Sequence, residues 1–257
     1  MYKISNLQEN PNIKVISSLG NVRVLEYQRD MSVTPLTAAT EYFSAQMDIR
    51  KRQAVIELDD SGFVLQAGSM QWIAGDIKIG TGIKGVGDFF GKALSSSVTK
   101  ESTIKPLYRG TGTIVLEPTY RYIILLDVSE WGTVVLDDGL FLACDENVKQ
   151  HVTSRTTLSS AVLGKEGLFN LALSGSGVAV LESPVPYEEL VKVELNNDVL
   201  KIDGNNAIAW SNSLQFTVEK TTKSLIGSAA SGEGFVNVYR GTGTVLMAPL
   251  TTSANGK

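Results

Sequence analysis

A short glycine pattern that returns along the chain limits the possible folds more than any other feature. Residues 109–118 read Arg-Gly-Thr-Gly-Thr followed by an apolar run, and residues 240–249 repeat the pattern. A weaker copy, Ser-Gly-Ser-Gly followed by an apolar run, occupies residues 174–184. The first glycines of the three copies lie 65 and 66 residues apart. So regular an interval predicts one supersecondary unit that is used three times.

This interval divides the chain into three repeats between an N-terminal segment and a tail. We place an N-terminal β segment at residues 1–53, packed on the repeats, and a flexible polar tail at 250–257. The repeats are residues 54–118, 119–184 and 185–249, within a single compact domain. The paired glycines are predicted to be structural, at corners where strands bend or pack closely; they are Gly110, Gly112, Gly175, Gly177, Gly241 and Gly243.

Short apolar runs separated by turns that contain Asp and Gly predict an all-β sandwich or barrel. Each repeat is expected to hold a tight hairpin turn where Asp, Asn and Gly cluster, because these residues tolerate positive φ best. The clusters are residues 59–62, 137–139 and 203–206. Their last residues precede the Gly-x-Gly by 48, 36 and 35 residues. The first repeat is therefore predicted to carry an insertion of about a dozen residues, a mobile Gly- and Ser-rich loop at residues 80–97.

The N-terminal segment contains two further strand patterns. Ile13–Ile16 and Val22–Tyr27 alternate or nearly alternate apolar and polar residues, which predicts two strands joined at Gly20-Asn21. Residues 37–43 are the part of this segment that best tolerates a helix.

Charge and cysteine content exclude several classes of function. The net charge of −4 argues against a nucleic-acid-binding protein. The one local basic cluster, Arg50-Lys51-Arg52, is interpreted as a solvated turn. Cys144 is the only cysteine and lies in an apolar run, so we interpret it as a small buried hydrophobic residue. No apolar leader and no apolar run of about 18 residues is present, and we expect a cytoplasmic protein.

No catalytic or metal-binding constellation stands out, so we predict no enzyme activity, no cofactor and no metal. Residues 80–85 match Gly-x-Gly-x-x-Gly, but a dinucleotide site needs a βαβ unit and the surroundings are all-β. His151, the only histidine, is expected to be a strand or turn residue. The pairs Asp59-Asp60 and Asp137-Asp138 lack the spaced carboxylates of a calcium loop.

The order of the motifs resembles that of a known family. Glu166-Gly167 and Glu233-Gly234 each precede an apolar strand and then the Gly-x-Gly strand, whereas the first repeat has Glu101-Ser102 instead. This order is similar to that of the altered-inheritance-of-mitochondria family of bacterial and mitochondrial proteins, over residues 54–249. The resemblance implies a fold like the tryptophan-sensing RNA-binding attenuator protein (TRAP-like), with internal pseudo-threefold symmetry. It also implies an oligomer and, through the mitochondrial member, a link to inner-membrane organisation.

The sequence therefore predicts a non-enzymatic scaffold or interaction protein that forms a homo-oligomer and is associated with membrane organisation. The alternative is a small-ligand-binding protein with a cleft between its β repeats. The candidate residues for contact with a protein partner or a peripheral membrane surface are Phe89, Phe90 and Leu94, near the tip of the insertion. The other outcome considered for the two Phe rings is burial in the core of the protein.

Overall fold

A computed structural model describes residues 2–80, 105–154, 169–220 and 235–249. Phe89, Phe90 and Leu94, the insertion beyond Gly80 and the tail at 250–257 lie outside the described residues, so the predictions made for them stay predictions. Within the described ranges the structure has fifteen strands and one α-helix.

Strands make up 61% of the structure. The first repeat and the segment before it contain β1 (Ile13–Leu19), β2 (Val22–Tyr27), α1 (Ala38–Gln46), β3 (Arg52–Leu65), β4 (Met70–Gly80) and β5 (Leu107–Leu116). The second repeat contains β6 (Tyr122–Asp127), β7 (Thr133–Leu136), β8 (Phe141–Asp145), β9 (Val148–Ser154), β10 (Phe169–Gly175) and β11 (Val178–Ser183). The third contains β12 (Val191–Asp203), β13 (Ala207–Ser211), β14 (Gln215–Lys220) and β15 (Phe235–Met247). Short 3₁₀ turns occupy Val128–Trp131 and Tyr187–Glu189.

The strands form two antiparallel sheets, which confirms the predicted all-β class. The larger sheet has eight strands in the order β1-β2-β3-β8-β11-β6, with β5 beside β3 and β4 beside β5. It curls into a nearly closed barrel, and the smaller sheet forms a half-barrel. That sheet has seven strands in the order β12-β15-β13-β7-β10-β9, with β14 beside β15.

In each predicted repeat the last strand or strands pair with the earlier ones. In the first repeat β5, the third strand along the chain, pairs with both β3 and β4. In the third, β15 pairs with β12 on one side and with β13 and β14 on the other. In the second, β10 and β11 together pair with β6 and β7 and with β8 and β9. A threefold rotation that relates the repeats stays a prediction.

The hairpin turn predicted at residues 59–62 is wrong. Strand β3 continues through these residues, and a β-bulge between Leu58 and Ser61 accommodates them opposite Gly112 and Gly110. Asp60 takes a positive φ of 45° there. A bulge uses the same tolerance of positive φ as a tight turn, which is why Asp-Asp-Ser-Gly suggested a turn.

The bulge recurs in the third repeat with the same hydrogen bond. Strand β12 bulges between Leu195 and Asp198, opposite Gly243 and Gly241, and Asn197 has a φ of 52°. The Asp60 amide donates to Thr111 Oγ1 at 3.1 Å, and the Asn197 amide donates to Thr242 Oγ1 at 3.0 Å. The middle threonine of Gly-Thr-Gly therefore satisfies the amide that the bulge leaves unpaired.

The clusters at 137–139 and 203–206 do form turns, but not hairpin turns. The strands they connect do not pair with each other within the described residues: β7 lies in the smaller sheet and β8 in the larger, while β12 and β13 lie on opposite sides of β15. The matching turn of the first repeat is at Gly68, whose φ of 83° is close to the 79° of Gly139 and the 75° of Gly204.

This match shortens the predicted insertion. Counted from Gly68, Gly139 and Gly204, the Gly-x-Gly begins 42, 36 and 37 residues later. The stretch between this turn and the Gly-x-Gly is thus longer in the first repeat than in the others by about five residues rather than a dozen.

The second repeat joins the two sheets. The turn Val128–Trp131 separates β6 in the larger sheet from β7 in the smaller, and Ser176 and Gly177 separate β10 from β11 in the same way. The largest buried cluster therefore draws side chains from both sheets; among them are Leu126, Leu136, Phe141, Leu173, Leu181 and Leu246. One continuous core holds both sheets together.

The N-terminal segment extends the larger sheet, as its strand patterns predicted. Strands β1 and β2 form a hairpin around Gly20, and β2 pairs with β3. The segment most tolerant of helix forms α1, which lies between β2 and β3 in the chain.

Candidate functional site

A buried ion-pair cluster anchors the N-terminal segment to the barrel. The side chain of Arg52, the first residue of β3, is only 1% exposed, and its Nη2 lies 2.8 Å from a carboxylate oxygen of Glu26 and 3.0 Å from one of Asp48. Its guanidinium stacks on the ring of Tyr122, 3.9 Å from the ring centroid. Arg50 adds a second ion pair with Glu26 at 3.0 Å. The prediction that the Arg-Lys-Arg run is a solvated turn is therefore wrong, because partners distant in sequence neutralise it.

The third basic residue of the run has its own acidic partner. Lys51 Nζ lies 2.6 Å from a carboxylate oxygen of Asp30. The hydrogen bond from Lys51, helped by those from Ser32, lowers the pKa of Asp30 to about 2. The same contact with Asp30 raises the pKa of Lys51. Both groups are therefore charged across the physiological range.

A cavity opens beside this cluster at the seam of the barrel. Strands β1 and β6 end the eight-stranded sheet and come into contact, but over their described residues they share no ladder of hydrogen bonds. The space between them measures about 500 Å³, a size typical of ligand pockets. Its lining includes five carboxylates and two tyrosines together with Arg52; these are Glu26, Asp48, Asp127, Glu130, Glu188, Tyr122 and Tyr187.

Burial and neighbouring charge set the electrostatics of this cavity. Burial first, and then the Asp48 carboxylate, raises the pKa of Tyr122, so its hydroxyl stays protonated at neutral pH. That hydroxyl donates to Asp48 Oδ2 at 3.2 Å. With Arg52 already paired to Glu26 and Asp48, the rim retains an excess of negative charge. Such a rim, with aromatic rings beside it, favours an organic cation over an anion.

The helix α1 offers a second surface, which is apolar. None of its residues is buried, although a surface helix normally buries its apolar side. It is tied to the barrel by the Tyr120 hydroxyl, which donates to the Glu41 carboxylate at 3.1 Å. Large apolar side chains on and around the helix face solvent, with exposed fractions of 73% for Met31, 93% for Leu36, 62% for Tyr42, 67% for Phe43, 75% for Met47 and 48% for Ile49.

The residues weighed for catalysis and metal binding are not assembled into a site. Cys144 is buried on β8, as predicted, and burial raises the pKa of its thiol to about 12, so it is not a nucleophile at neutral pH. His151 is a residue of β9, as expected. Among the described residues no three His, Cys, Asp or Glu side chains are grouped so as to hold a metal ion.

The sequence pattern of a family described as mitochondrial biogenesis AIM24 matches residues 43–250. The chain belongs to this family. Among solved structures it is similar to the crystal structure of protein SPYM3_0169 from Streptococcus pyogenes, a structural genomics target. The two share 26% identity over 79% of this chain and 89% of that one, with a TM-score of 0.57. None of the curated proteins compared with the chain matches it.

The match to the AIM24 family confirms the resemblance drawn from the motif order, and it covers all six paired glycines. A Cβ at Gly112 would collide with the backbone oxygen of Ala74, and one at Gly110 with that of Asp76. At Gly175 a Cβ would lie 2.7 Å from the oxygen of Asn147. A Cβ at Gly177 would lie 2.6 Å from the Cβ of Asp145, and a Cβ at Gly243 would lie 2.8 Å from the Cβ of Ser211. Gly241 has more room, because a Cβ there would lie 3.7 Å from the nearest atom, the backbone oxygen of Ser213. Five of the six, all but Gly241, therefore sit where neighbouring residues approach too closely for a side chain.

The matched region begins at Phe43, so it leaves out part of the helix and both strands of the first hairpin. The ion-pair cluster and the seam cavity use that earlier segment, through Glu26 and β1. Sequence reasoning missed both sites, because the partners of Arg52 are isolated acids in a hairpin and a loop. One signal of a buried ion pair was present in the sequence. Glu26 is an acid among apolar residues, in Val-Leu-Glu-Tyr, and buried acids are normally paired.

Proposed function

We propose that this chain is a non-enzymatic interaction protein that assembles with copies of itself. The observation that carries the proposal is the exposed apolar surface at Met31, Leu36, Tyr42, Phe43, Met47 and Ile49. A monomer rarely leaves so many large apolar side chains of one short segment in water, and exposed apolar surface of this size marks contacts. The inert thiol of Cys144 further supports a role without covalent catalysis.

Open sheet edges give self-association a second basis. Among the strands of the described ranges, β9 ends the smaller sheet, and its exposed side chains include Val152, of which 56% is exposed. Unpaired edges are commonly covered by another chain. Light scattering on the purified protein over a wide concentration range tests the proposal, and a strict monomer throughout would refute self-association.

A peripheral role in membrane organisation is the more specific part of the proposal. It rests on the resemblance to the mitochondrial member of the family and on the expected loop tip with Phe89, Phe90 and Leu94. Among the described residues no helix has both the length and the apolar composition needed to cross a bilayer. Vesicle flotation of the wild type and of a Phe89→Ser/Phe90→Ser variant tests this role. Equal flotation of the two proteins would show that Phe89 and Phe90 take no part in membrane contact.

The seam cavity favours a second candidate function, the binding of a small organic cation. Its carboxylates and tyrosines supply charge and aromatic faces. It lies between the N-terminal segment and the second repeat, and Pro186, Tyr187 and Glu188 at the start of the third repeat complete its lining. A thermal-shift screen of amines, amino acids and nucleotides tests this candidate. We expect stabilisation by amines, which a Glu130→Gln/Glu188→Gln variant of the rim loses; stabilisation by no compound would refute the candidate.

A further inference from the structure

Three of the exposed apolar side chains, Leu36, Phe43 and Met47, lie on or beside the side of α1 that points away from the barrel. At 100° per residue, Thr40, Phe43 and Met47 share this side, with Ala39 at its margin, and Leu36 lies in the turn that leads into the helix. All five are exposed, whereas Ala38, Glu41 and Ala45 on the opposite side are partly buried. We call the first group the outer face of α1. The usual arrangement, with the apolar side against the core, is therefore reversed.

A helix of this kind needs a covering surface. It has nine residues, and isolated helices shorter than about 12 residues are marginal in water. Its own barrel supplies no burial for the outer face. The six exposed apolar side chains of this region together amount to roughly 800 Å², close to what each partner contributes to a stable interface, and Leu36, Phe43 and Met47 of the outer face supply about half of it.

The composition of the outer face argues against a membrane as the covering surface. Glu41 is the only charged residue between Met31 and Met47, and it accepts a hydrogen bond from Tyr120. Helices that lie on membranes carry Lys and Arg around their apolar side. The nearest basic residues that follow, Arg50 and Lys51, are held in ion pairs with Glu26 and Asp30.

The same composition suits a second copy of this chain. A two-fold interface brings a surface against itself, so it must be free of like charge and must match its own shape. The outer face carries no charge. It also alternates large and small residues: Leu36 and Phe43 flank Ala39 and Thr40. In an antiparallel crossing, Phe43 of each copy fills the hollow over Ala39 and Thr40 of the other.

We propose that two copies of this chain pair through the outer faces of their α1 helices, which cross antiparallel about a two-fold axis. This inference rests on the proposed self-association and names the surface that performs it. The pairing buries Leu36, Phe43 and Met47 of both copies, and Thr40 lies close to the axis. The sheet edges play no part in this contact.

Sedimentation equilibrium on the full chain tests the pairing. Phe43→Ser/Met47→Ser replaces two side chains that are exposed in the single copy, so the fold persists and far-ultraviolet circular dichroism should be unchanged. We expect a wild-type dimer and a dissociation constant about 100-fold higher for the variant. The matched control, Val191→Ser/Val199→Ser, changes two exposed apolar residues of β12 and should leave the dimer intact.

Cross-linking gives an independent reading of the geometry. Thr40→Cys places a thiol near the two-fold axis and should form a disulfide-linked dimer on mild oxidation, while the buried Cys144 does not react. Val199→Cys, on exposed β12, is the control and should remain unlinked.

The outcomes separate this inference from the proposed function. A wild-type oligomer that survives Phe43→Ser/Met47→Ser overturns the pairing but leaves self-association standing, and a wild-type monomer overturns both. A monomer that floats with phosphatidylcholine–phosphatidylglycerol vesicles, and loses flotation in the same variant, would assign the outer face to a membrane instead.

Discussion

At the scale of single residues, Arg52 is the side chain on which the N-terminal segment depends most. It is buried and forms ion pairs with Glu26 and Asp48. We expect Arg52→Met to lower the free energy of unfolding by about 3 kcal/mol, because Glu26 then keeps only Arg50 as a partner in a buried position. Chemical denaturation measures this change.

The matched control for Arg52 is Arg121, which lies 4.0 Å from Glu182 and is 46% exposed. Arg121→Met should change the free energy of unfolding by less than about 1 kcal/mol, as surface ion pairs do. Equal effects of the two substitutions would contradict the role given to burial.

Asp30 should make stability depend on acid pH. Its pKa falls from an ordinary 3.8 to about 2 in the folded chain, chiefly through the hydrogen bond from Lys51. A carboxylate with a lowered folded-state pKa stabilises the protein above its unfolded pKa, and the contribution disappears as the pH falls through the folded value. The stability difference between wild type and Asp30→Asn should therefore be full at neutral pH and shrink from about pH 4 towards pH 2. A difference that stays constant over this range would contradict the assignment.

At the scale of elements, the first and third repeats allow the same glycine substitution to be compared at two equivalent positions. Gly110 and Gly241 occupy equivalent positions opposite the bulges and have φ values of 148° and 120°. A Cβ at Gly110 meets the backbone oxygen of Asp76, whereas at Gly241 the nearest atom is 3.7 Å away.

We therefore expect Gly110→Ala to destabilise the protein more than Gly241→Ala. The second substitution costs about 1–2 kcal/mol for positive φ alone, and the first adds a clash between β4 and β5 of a further 1–3 kcal/mol, roughly as overpacking does. Thermal unfolding of both variants measures the difference. Equal losses of stability would mean that β4 and β5 can move apart at Gly110 without a loss of free energy.

The elements also mark how far the sequence could predict this structure. The repeat interval and the apolar runs predicted the all-β class, because strand patterns and Gly spacing are local signals. The bulge at Asp60 was mistaken for a turn, since both conformations select the same residues. The outward apolar face of α1 and the burial of Arg52 depend on contacts between segments far apart in the chain, which no local pattern carries.

At the scale of the whole molecule, the second repeat makes the two sheets one folding unit. Its strands are divided between the sheets, and the largest buried cluster takes Leu126 from one and Leu136 from the other. Neither sheet can unfold alone without exposing that cluster to water. Unfolding of the barrel and the half-barrel should therefore be a single cooperative transition.

The three tryptophans test this cooperativity directly, because they are spread over the molecule. Trp72 lies on β4 of the larger sheet, Trp210 on β13 of the smaller, and Trp131 in the turn that joins β6 to β7. Variants that keep one tryptophan and replace the other two with Phe should each show the same midpoint in two probes, indole fluorescence and far-ultraviolet circular dichroism. The Phe replacements shift the midpoint from variant to variant, so the comparison is made between the two probes within each one. If Trp210 reports a lower midpoint than circular dichroism while Trp72 does not, the half-barrel unfolds first and the shared core does not couple the sheets.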